Sequence, residues 1–366
     1  MITANRRYDI DWVRVIAIGL LLIYHAAIGF QSWGIMIAFI TNEKSWSSLW
    51  IPMTMLNVWR IPLLFFVSGM GVYFAIQNRN WKQLIGERAL RIFLPYLVGV
   101  FLLVPVGVMM FKYYYNWSLD YAPNPGHLWF LGNIFAYVLL LSPIFFYLKK
   151  NENGRVVKAL NKLFSTPLGL LPIIAAFVAE AVLVNPRPYE MYAMTWHGFV
   201  LGLLAFLCGF CFVVSGPSFW QMILKWRWMF LVLAAALFTV RLTQFQFAPN
   251  YLISVESNLW IISVFAFAHR YLNRPSNVLN YLSQAAYPVY ILHMIFLYLG
   301  SMLIFPMDIA VEIQFFLTLA FTMVGCFGGY ELIRRVNMLR PLFGLKMKKS
   351  ANKTERLAVS APATTD

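Results

Sequence analysis

An arginine and a histidine, Arg14 and His25, lie eleven positions apart in an otherwise apolar stretch of the sequence. At 3.6 residues per turn and 1.5 Å per residue, an α-helix would place both side chains on one face, about 16 Å apart. Asp11 shares that face and could orient the guanidinium. One helix would thus offer a cation for an anion at one depth and a titratable imidazole at another. The structural alternative is that Arg14 reaches lipid headgroups and His25 is hydrogen-bonded between helices.

A second pair of arginines, Arg88 and Arg91, precedes another apolar stretch. Positions i and i+3 are neighbours at the start of a helix, and two guanidiniums can hold one phosphate group. Contact with lipid headgroups would explain the same pair. Arg60 differs because it lies about ten residues inside an apolar stretch. An unpaired arginine at that depth is costly, which favours a partner or an anionic substrate.

Five further ionisable side chains fall inside apolar stretches: His127, Glu180, His197, Glu256 and His293. Each histidine taken alone is more typical of a packing residue than of a ligand. No His-x3-His or carboxylate–His spacing predicts a metal site. The sequence also has three cysteines, Cys208, Cys211 and Cys326. They lie in apolar stretches without a neighbouring charge, which predicts buried packing rather than redox chemistry.

Ten apolar stretches, each about long enough to cross a bilayer, must position these residues. Hydrophobic residues make up 61% of the chain and charged residues 12%, whereas soluble domains have about 45–50% and 25%. The sequence therefore predicts an all-α, polytopic transmembrane helix bundle. The predicted helices span residues 10–32, 50–77, 90–112, 127–148, 167–184, 196–215, 226–244, 251–271, 280–304 and 309–333.

Basic residues are unevenly distributed between the connecting segments. Segments on one side of the predicted bundle hold 23 of the 29 lysines and arginines, and the other side holds Lys44, Lys112 and Arg187. Because basic segments stay in the cytoplasm, both termini are predicted to be cytoplasmic. The same bias explains the net charge of +15, so a lipid bilayer rather than nucleic acid is the expected partner.

The connecting segments predict a simple domain organisation. A transmembrane domain is expected over residues 1–335 and a basic cytoplasmic tail over residues 336–366. The polar and small residues of the tail predict disorder. Since the loops are too short for a separate soluble catalytic domain, we expect any chemistry inside the bundle or at its mouths.

Five motifs occur in order along the chain: YDIDWVR at 8–14 followed after ten residues by His25, PLLFFVSG at 62–69, Arg88-x-x-Arg91 followed by Pro95, HLWFL at 127–131 and YPVYILH at 287–293. In these motifs the chain resembles the acyltransferase 3 family, the polytopic enzymes that acylate extracytoplasmic carbohydrates, over about residues 8–335. Two further runs, WR at 59–60 and FAHRYLN at 267–273, resemble the glucans biosynthesis protein C branch, which succinylates periplasmic glucans.

The resemblance implies a multi-pass enzyme of the cytoplasmic (inner) membrane. It would transfer an acetyl or succinyl group from cytoplasmic acyl-CoA, as co-substrate without a further cofactor or metal, to a carbohydrate or glucan hydroxyl. His25 would be catalytic, as general base or covalent acyl carrier. The phosphates of acyl-CoA would be held by Arg14, Arg88 and Arg91. Supporting or acceptor-side positions would be Asp11, Arg60, His127, Trp129, Tyr287 and His293. A transporter of a polar solute or lipid-linked sugar is the main alternative, and a sensor or assembly scaffold is another.

Overall fold

The computed structural model describes residues 6–244 and 248–348. Within these residues ten helices are long and apolar enough to cross a membrane, and there is no strand. Each helix overlaps one predicted stretch, which confirms the all-α bundle of ten helices. We label them α1 (Tyr8–Ile28), α2 (Ser47–Ile76), α3 (Trp81–Tyr114), α4 (Gly126–Lys150), α5 (Pro167–Val184), α6 (Trp196–Val214), α7 (Pro217–Gln244), α8 (Asn250–Tyr271), α9 (Asn277–Ile304) and α10 (Val311–Arg335).

The segments between the helices gather on two faces of the bundle. On the face that carries the ends of the described chain, which we call the terminal face, Arg6 Nη1 donates to Asn280 Oδ1 at 2.6 Å. On the opposite face, the Tyr298 hydroxyl donates to the Ala38 carbonyl at 2.7 Å, and Lys44 pairs with Asp308 at 2.9 Å. Successive helices therefore cross between the same two faces, as ten alternating spans require.

Two helices begin earlier than hydropathy predicts. α3 begins at Trp81 rather than at residue 90, because Asn80 and Gln83 form a capping box that starts the helix in a polar segment. The sequence predicted that Arg88 and Arg91 stand at the start of the helix. They lie instead two to three turns inside it. α7 likewise begins at Pro217 rather than at residue 226. Hydropathy misses such polar first turns because they extend beyond the apolar span.

α2 is broken at residues 58–59, between the helical segments Trp50–Asn57 and Arg60–Ile76. The carbonyl of Val58 accepts hydrogen bonds from the Tyr192 hydroxyl at 3.0 Å and from Ser257 Oγ at 2.8 Å. A break inside a membrane span is tolerated when protein groups satisfy the freed backbone in this way. The break leaves Arg60 at the start of the second segment, inside the bundle.

α2 and α6 pack closely because each presents a glycine to the backbone of the other. A Cβ at Gly69 would lie 1.9 Å from the Phe206 carbonyl oxygen, and one at Gly209 would lie 2.0 Å from the Phe66 carbonyl oxygen. Small residues allow such close approach in membrane helices. This contact fixes α2, which carries Arg60, within the bundle.

Two short helices lie outside the ten spans, at Arg155–Leu163 and at Leu339–Leu342. The second belongs to a segment, residues 336–348, that we call the C-terminal loop. The Lys348 backbone N–H donates to Asn337 Oδ1 at 2.7 Å, and Arg340 Nε donates to the Lys346 carbonyl at 2.6 Å. These two bonds close the loop on itself. The rest of the predicted tail, residues 349–366, lies outside the described residues.

Candidate active site

Three histidines from three helices meet in the bundle: His25 of α1, His127 at the start of α4 and His293 of α9. The His25 and His293 rings stack with their centres 5.0 Å apart, and His127 meets His293 edge-on at 4.9 Å. His293 is fully buried, whereas His25 keeps partial exposure. The sequence placed all three at similar depth, and the structure brings them into contact.

Hydrogen bonds fix which nitrogen of each ring carries a proton. His293 Nδ1 lies 2.6 Å from the Tyr290 carbonyl, which can only accept, so Nδ1 donates. In the neutral ring, His293 Nε2 is then an acceptor, and it lies 2.9 Å from His25 Nδ1. His25 Nδ1 must therefore donate, which leaves His25 Nε2 as the unprotonated nitrogen. A backbone carbonyl thus sets the tautomer of His25 through His293.

Reciprocal bonds hold the start of α4 against α9. The Tyr290 hydroxyl donates to the His127 carbonyl at 2.5 Å, and His127 Nε2 donates to the Ile291 carbonyl at 3.2 Å. Trp129, one of the residues predicted to be supporting or acceptor-side, packs against Phe65 of α2, with ring centres 6.0 Å apart. Trp129 therefore supports the packing of α4 on α2 and is not in ring contact with the three histidines.

Arg60 lies beside the histidines without an acidic partner among the described residues. It is 2% exposed, and its guanidinium carbon lies 3.9 Å from the centre of the Tyr24 ring. Its Nε and Nη1 atoms are buried and have no hydrogen-bond partner. The charge of Arg60 is close enough to act on both His25 and His293. The partner that the sequence predicted for Arg60 is thus the Tyr24 ring. The Nε and Nη1 atoms of Arg60 remain available to an anion or a hydroxyl group.

The three arginines predicted to hold phosphates come together near the terminal face. Arg14, Arg88 and Arg91 are close enough for each charge to act on the other two. Arg14 Nη1 pairs with Asp11 at 3.4 Å, as their shared helix face predicts, and Arg91 Nη1 pairs with Glu87 at 3.1 Å.

Two more arginines share the same carboxylates: Arg6 lies 2.9 Å from Asp11 and Arg79 lies 3.0 Å from Glu87. Four guanidiniums thus share two carboxylates in this part of the described structure, and Arg88 is the fifth guanidinium of the cluster. Arg88 Nε is buried without a hydrogen-bond partner there. A local excess of positive charge with an unpartnered donor is suited to bind a polyanion such as a phosphate ester.

A π-helical turn at Ala89–Phe93 presents Arg91 to this cluster. It closes with the bond from the Leu94 N–H to the Ala89 carbonyl, one residue before Pro95. Proline has no N–H and its ring clashes with the carbonyl four residues earlier, here that of Arg91, so the wider turn relieves the clash. A second π-helical turn, Gly99–Leu103, precedes Pro105 in the same register, and the Tyr121 hydroxyl donates to the freed Phe101 carbonyl at 2.8 Å.

Tyr287 and the C-terminal loop complete the arginine cluster. The Tyr287 hydroxyl is buried without a hydrogen-bond partner in the described residues, close to Arg88 and Arg91. Gly344, with φ of +72°, lies against the Tyr287 ring and accepts a hydrogen bond from Arg91 Nε at 3.3 Å. No sequence motif had indicated Gly344, and its single signal is a glycine shortly after the last span.

Among the described residues, no group of three or more His, Cys, Asp or Glu side chains is arranged to hold a metal ion. Two of the predicted intramembrane acids form buried pairs. Glu180 pairs with His197 at 2.8 Å, and Glu256 pairs with Arg241 at 2.6 Å.

Residues 7–331 match the model of the acyltransferase 3 family, which is described as an acyltransferase domain. The matched range includes all ten helices apart from the last residues of α10, together with every candidate residue named above except Arg6 and Gly344. No curated protein and no solved structure matches the chain.

Proposed function

Because the chain belongs to the acyltransferase 3 family and is a multi-pass membrane acyltransferase, we propose that it transfers an acetyl or succinyl group from cytoplasmic acyl-CoA to a hydroxyl group of an extracytoplasmic carbohydrate. The uneven distribution of basic residues supports this orientation, with the terminal face in the cytoplasm. The transporter predicted as an alternative has no support from the family match.

One observation carries the chemical proposal: the hydrogen-bond chain from the Tyr290 carbonyl through His293 to His25. This hydrogen-bond chain leaves a free lone pair on His25 Nε2. Of the two rings, His25 and His293, that of His25 is the partly exposed one. A general base needs this arrangement, with one nitrogen held by an orienting partner and the other directed to the reacting proton. In the proposed mechanism, His293 positions His25 without touching the substrate.

The arginine cluster is the proposed phosphate site for acyl-CoA. Arg14 and His25 lie on one face of α1, about 16 Å apart by helix geometry. An extended pantetheine arm can bridge this separation, with the phosphates at Arg14, Arg88 and Arg91 and the thioester beside His25. A thioester made on one side of the membrane would thus reach an acceptor on the other.

The proposed reaction conserves atoms and charge without a further reactant. The acceptor hydroxyl oxygen attacks the thioester carbonyl while its proton passes to His25 Nε2. Collapse of the tetrahedral intermediate breaks the C–S bond, and the thiolate of CoA takes the proton from His25. The products are an ester and free CoA, and His25 returns to its starting tautomer. The unpartnered N–H donors of Arg60, whose charge acts on His25, are the groups proposed to stabilise the oxyanion.

The direct test is acyl transfer by the purified protein in lipid nanodiscs. Radiolabelled acetyl-CoA and succinyl-CoA serve as donors, and the carbohydrate fraction extracted from cell envelopes serves as acceptor. We expect label in ester linkage to carbohydrate with at least one donor, and no label when the protein is left out of the reaction. Absence of transfer with both donors, from protein that binds CoA, would contradict the proposed function.

A further inference from the structure

A second buried polar cluster lies beside the three histidines, between the break in α2, the helices α5 and α6 and the loop at 185–195. At its centre, His197 Nδ1 lies 2.8 Å from Glu180 Oε1, with the side chains 1% and 2% exposed. The rings of Tyr189 and Tyr192 lie 4.9 and 5.1 Å from the His197 ring. These residues have no part in the mechanism proposed above.

Several atoms of this cluster are buried without a hydrogen-bond partner among the described residues. They are Glu180 Oε2, His197 Nε2 and the Nε and Nη1 atoms of Arg60. Leaving a buried polar group unpaired destabilises the fold, and more so when the group is charged. Native proteins keep few such groups, and ionisable side chains inside a membrane protein usually serve a ligand or pathway. Donors and acceptors that the protein leaves free here are therefore available to a ligand.

The cluster is continuous with the proposed transfer site. Arg60 lies over the Tyr24 ring, and Tyr24 adjoins His25 with ring centres 6.4 Å apart. On the other side, the charge of Arg60 acts on Tyr192, which stacks on His197. Burial raises the pKa of Tyr192 well above its usual value, so its hydroxyl stays protonated. Arg60 therefore lies between the His25 side of the bundle and the His197–Glu180 pair.

A proton relay does not account for this arrangement. In the proposed reaction the proton leaves the acceptor hydroxyl and ends on the sulfur of CoA, so no proton has to cross to Glu180. The groups instead match a ligand that is rich in hydroxyls. Carboxylate and imidazole atoms accept or donate to hydroxyl groups and a guanidinium donates. The Tyr189 and Tyr192 rings pack against the His197 ring and hold it in place.

We infer that Arg60, Glu180, His197 and the rings of Tyr189 and Tyr192 form the acceptor subsite, and that its ligand is a polyhydroxylated ring of the carbohydrate. The inference rests on the proposed function and adds a location for the acceptor. Glu180 and His197 hold the sugar, and Arg60 directs the reacting hydroxyl toward His25. The loop at 185–195 covers this subsite on the opposite face.

The test measures donor and acceptor dependence separately in the Glu180→Gln and His197→Gln variants. Transfer from labelled acyl-CoA is followed against the concentration of envelope carbohydrate, and then against acyl-CoA. We expect the half-saturating carbohydrate concentration to rise at least about 10-fold, since a hydrogen bond to a charged group is lost. The KM for acyl-CoA should stay within about twofold of wild type.

Ser263→Ala is the matched control, because Ser263 is a buried serine whose hydroxyl already bonds to the Leu259 carbonyl of its own helix at 2.8 Å. It should leave both dependences unchanged. Glu180→Asp keeps the charge and is expected to retain folding with an intermediate carbohydrate dependence. Unchanged carbohydrate dependence, or an equal rise in both dependences, in folded variants would overturn the acceptor subsite. Absence of transfer by wild type would instead count against the proposed function.

Discussion

His25 Nδ1 and His293 Nε2 lie 2.9 Å apart, although 268 positions separate the two residues in the sequence. His293 is itself held by the Tyr290 carbonyl at 2.6 Å. An imidazole therefore orients an imidazole, and a backbone carbonyl replaces the carboxylate that completes a Ser-His-Asp triad. Since the carbonyl cannot become protonated, it can orient the pair without titrating.

This relationship predicts that His293 affects turnover rather than binding. In His293→Ala, His25 keeps its position on α1 but loses the acceptor that fixes its tautomer. We expect kcat to fall about 100-fold, within the range for general acid–base groups, and the KM for acyl-CoA to stay within about twofold. Steady-state kinetics in nanodiscs measure both values. A rise in KM at unchanged kcat would show that His293 contacts the donor instead of positioning His25.

The arginine cluster predicts a binding defect in Arg88→Ala. Arg88 Nε is buried without a hydrogen-bond partner in the described structure, so the mutation frees no internal carboxylate. We expect the KM for acyl-CoA to rise about 10- to 100-fold, because charge-assisted hydrogen bonds to phosphate are lost, and Arg88→Lys to recover part of the loss. Arg270→Ala is the control, since Arg270 is an exposed basic residue near the same face. Equal effects of both alanine variants would point to general surface charge.

Gly344 predicts a link between the C-terminal loop and donor binding. A Cβ at this position would lie 2.5 Å from two atoms of the Tyr287 ring and 2.8 Å from the Arg91 carbonyl oxygen. Gly344→Ala should therefore displace the loop and raise the KM for acyl-CoA about 10-fold. This effect is separate from the loss of roughly 1 kcal/mol in folding stability that alanine causes at positive φ. Gly216→Ala is the control, because φ is +70° there and the nearest atom is 4.0 Å away. Thermal unfolding and KM are measured for both variants.

If the loop has no part in donor binding, the two glycine variants will lose similar stability and keep the same KM. That result would remove Gly344 from the donor site, although it would leave the arginine cluster in place.

The basic-residue asymmetry predicts the orientation of the bundle. Reporter fusions after residues 40, 120, 190 and 307 should be active outside the cytoplasm, and fusions after residues 85 and 155 should be active inside it. Residues 40, 120, 190 and 307 fall in segments of the opposite face, residue 155 falls in a segment of the terminal face, and residue 85 lies in the polar first turns of α3 at the terminal face. Reversed activity at two or more positions would contradict the proposed path of the acyl group.

The sequence was sufficient to predict the ten helices, because a span of about 20 apolar residues is a local signal. It also predicted that Asp11 lies beside Arg14, since both are on one helix face. In the structure, Arg14 Nη1 lies 3.4 Å from Asp11 Oδ1. The Val58 carbonyl is free because Pro62, four residues later, has no N–H. The sequence could not predict which groups satisfy it, because Tyr192 and Ser257 are far away in the chain.

In the candidate site, too, the sequence predicted individual residues but not the contacts between residues that are distant in the chain. His25, His127 and His293 were each predicted by motif, but their contacts depend on how α1, α4 and α9 pack. Trp129 came from the same kind of motif and is a packing residue against Phe65. Motif positions therefore give candidate residues, and only the fold shows which of them come together and which pack elsewhere.

The central claim is that His25 performs the chemistry while the arginine cluster performs the binding, and His25→Ala tests it most directly. Acyl transfer to envelope carbohydrate and equilibrium binding of CoA are measured on the same nanodisc preparation of this variant. We predict that turnover falls at least about 100-fold while the Kd for CoA stays within about twofold of wild type. Turnover above a tenth of wild type, in a variant that binds CoA normally, would contradict the assignment of His25 as the catalytic base.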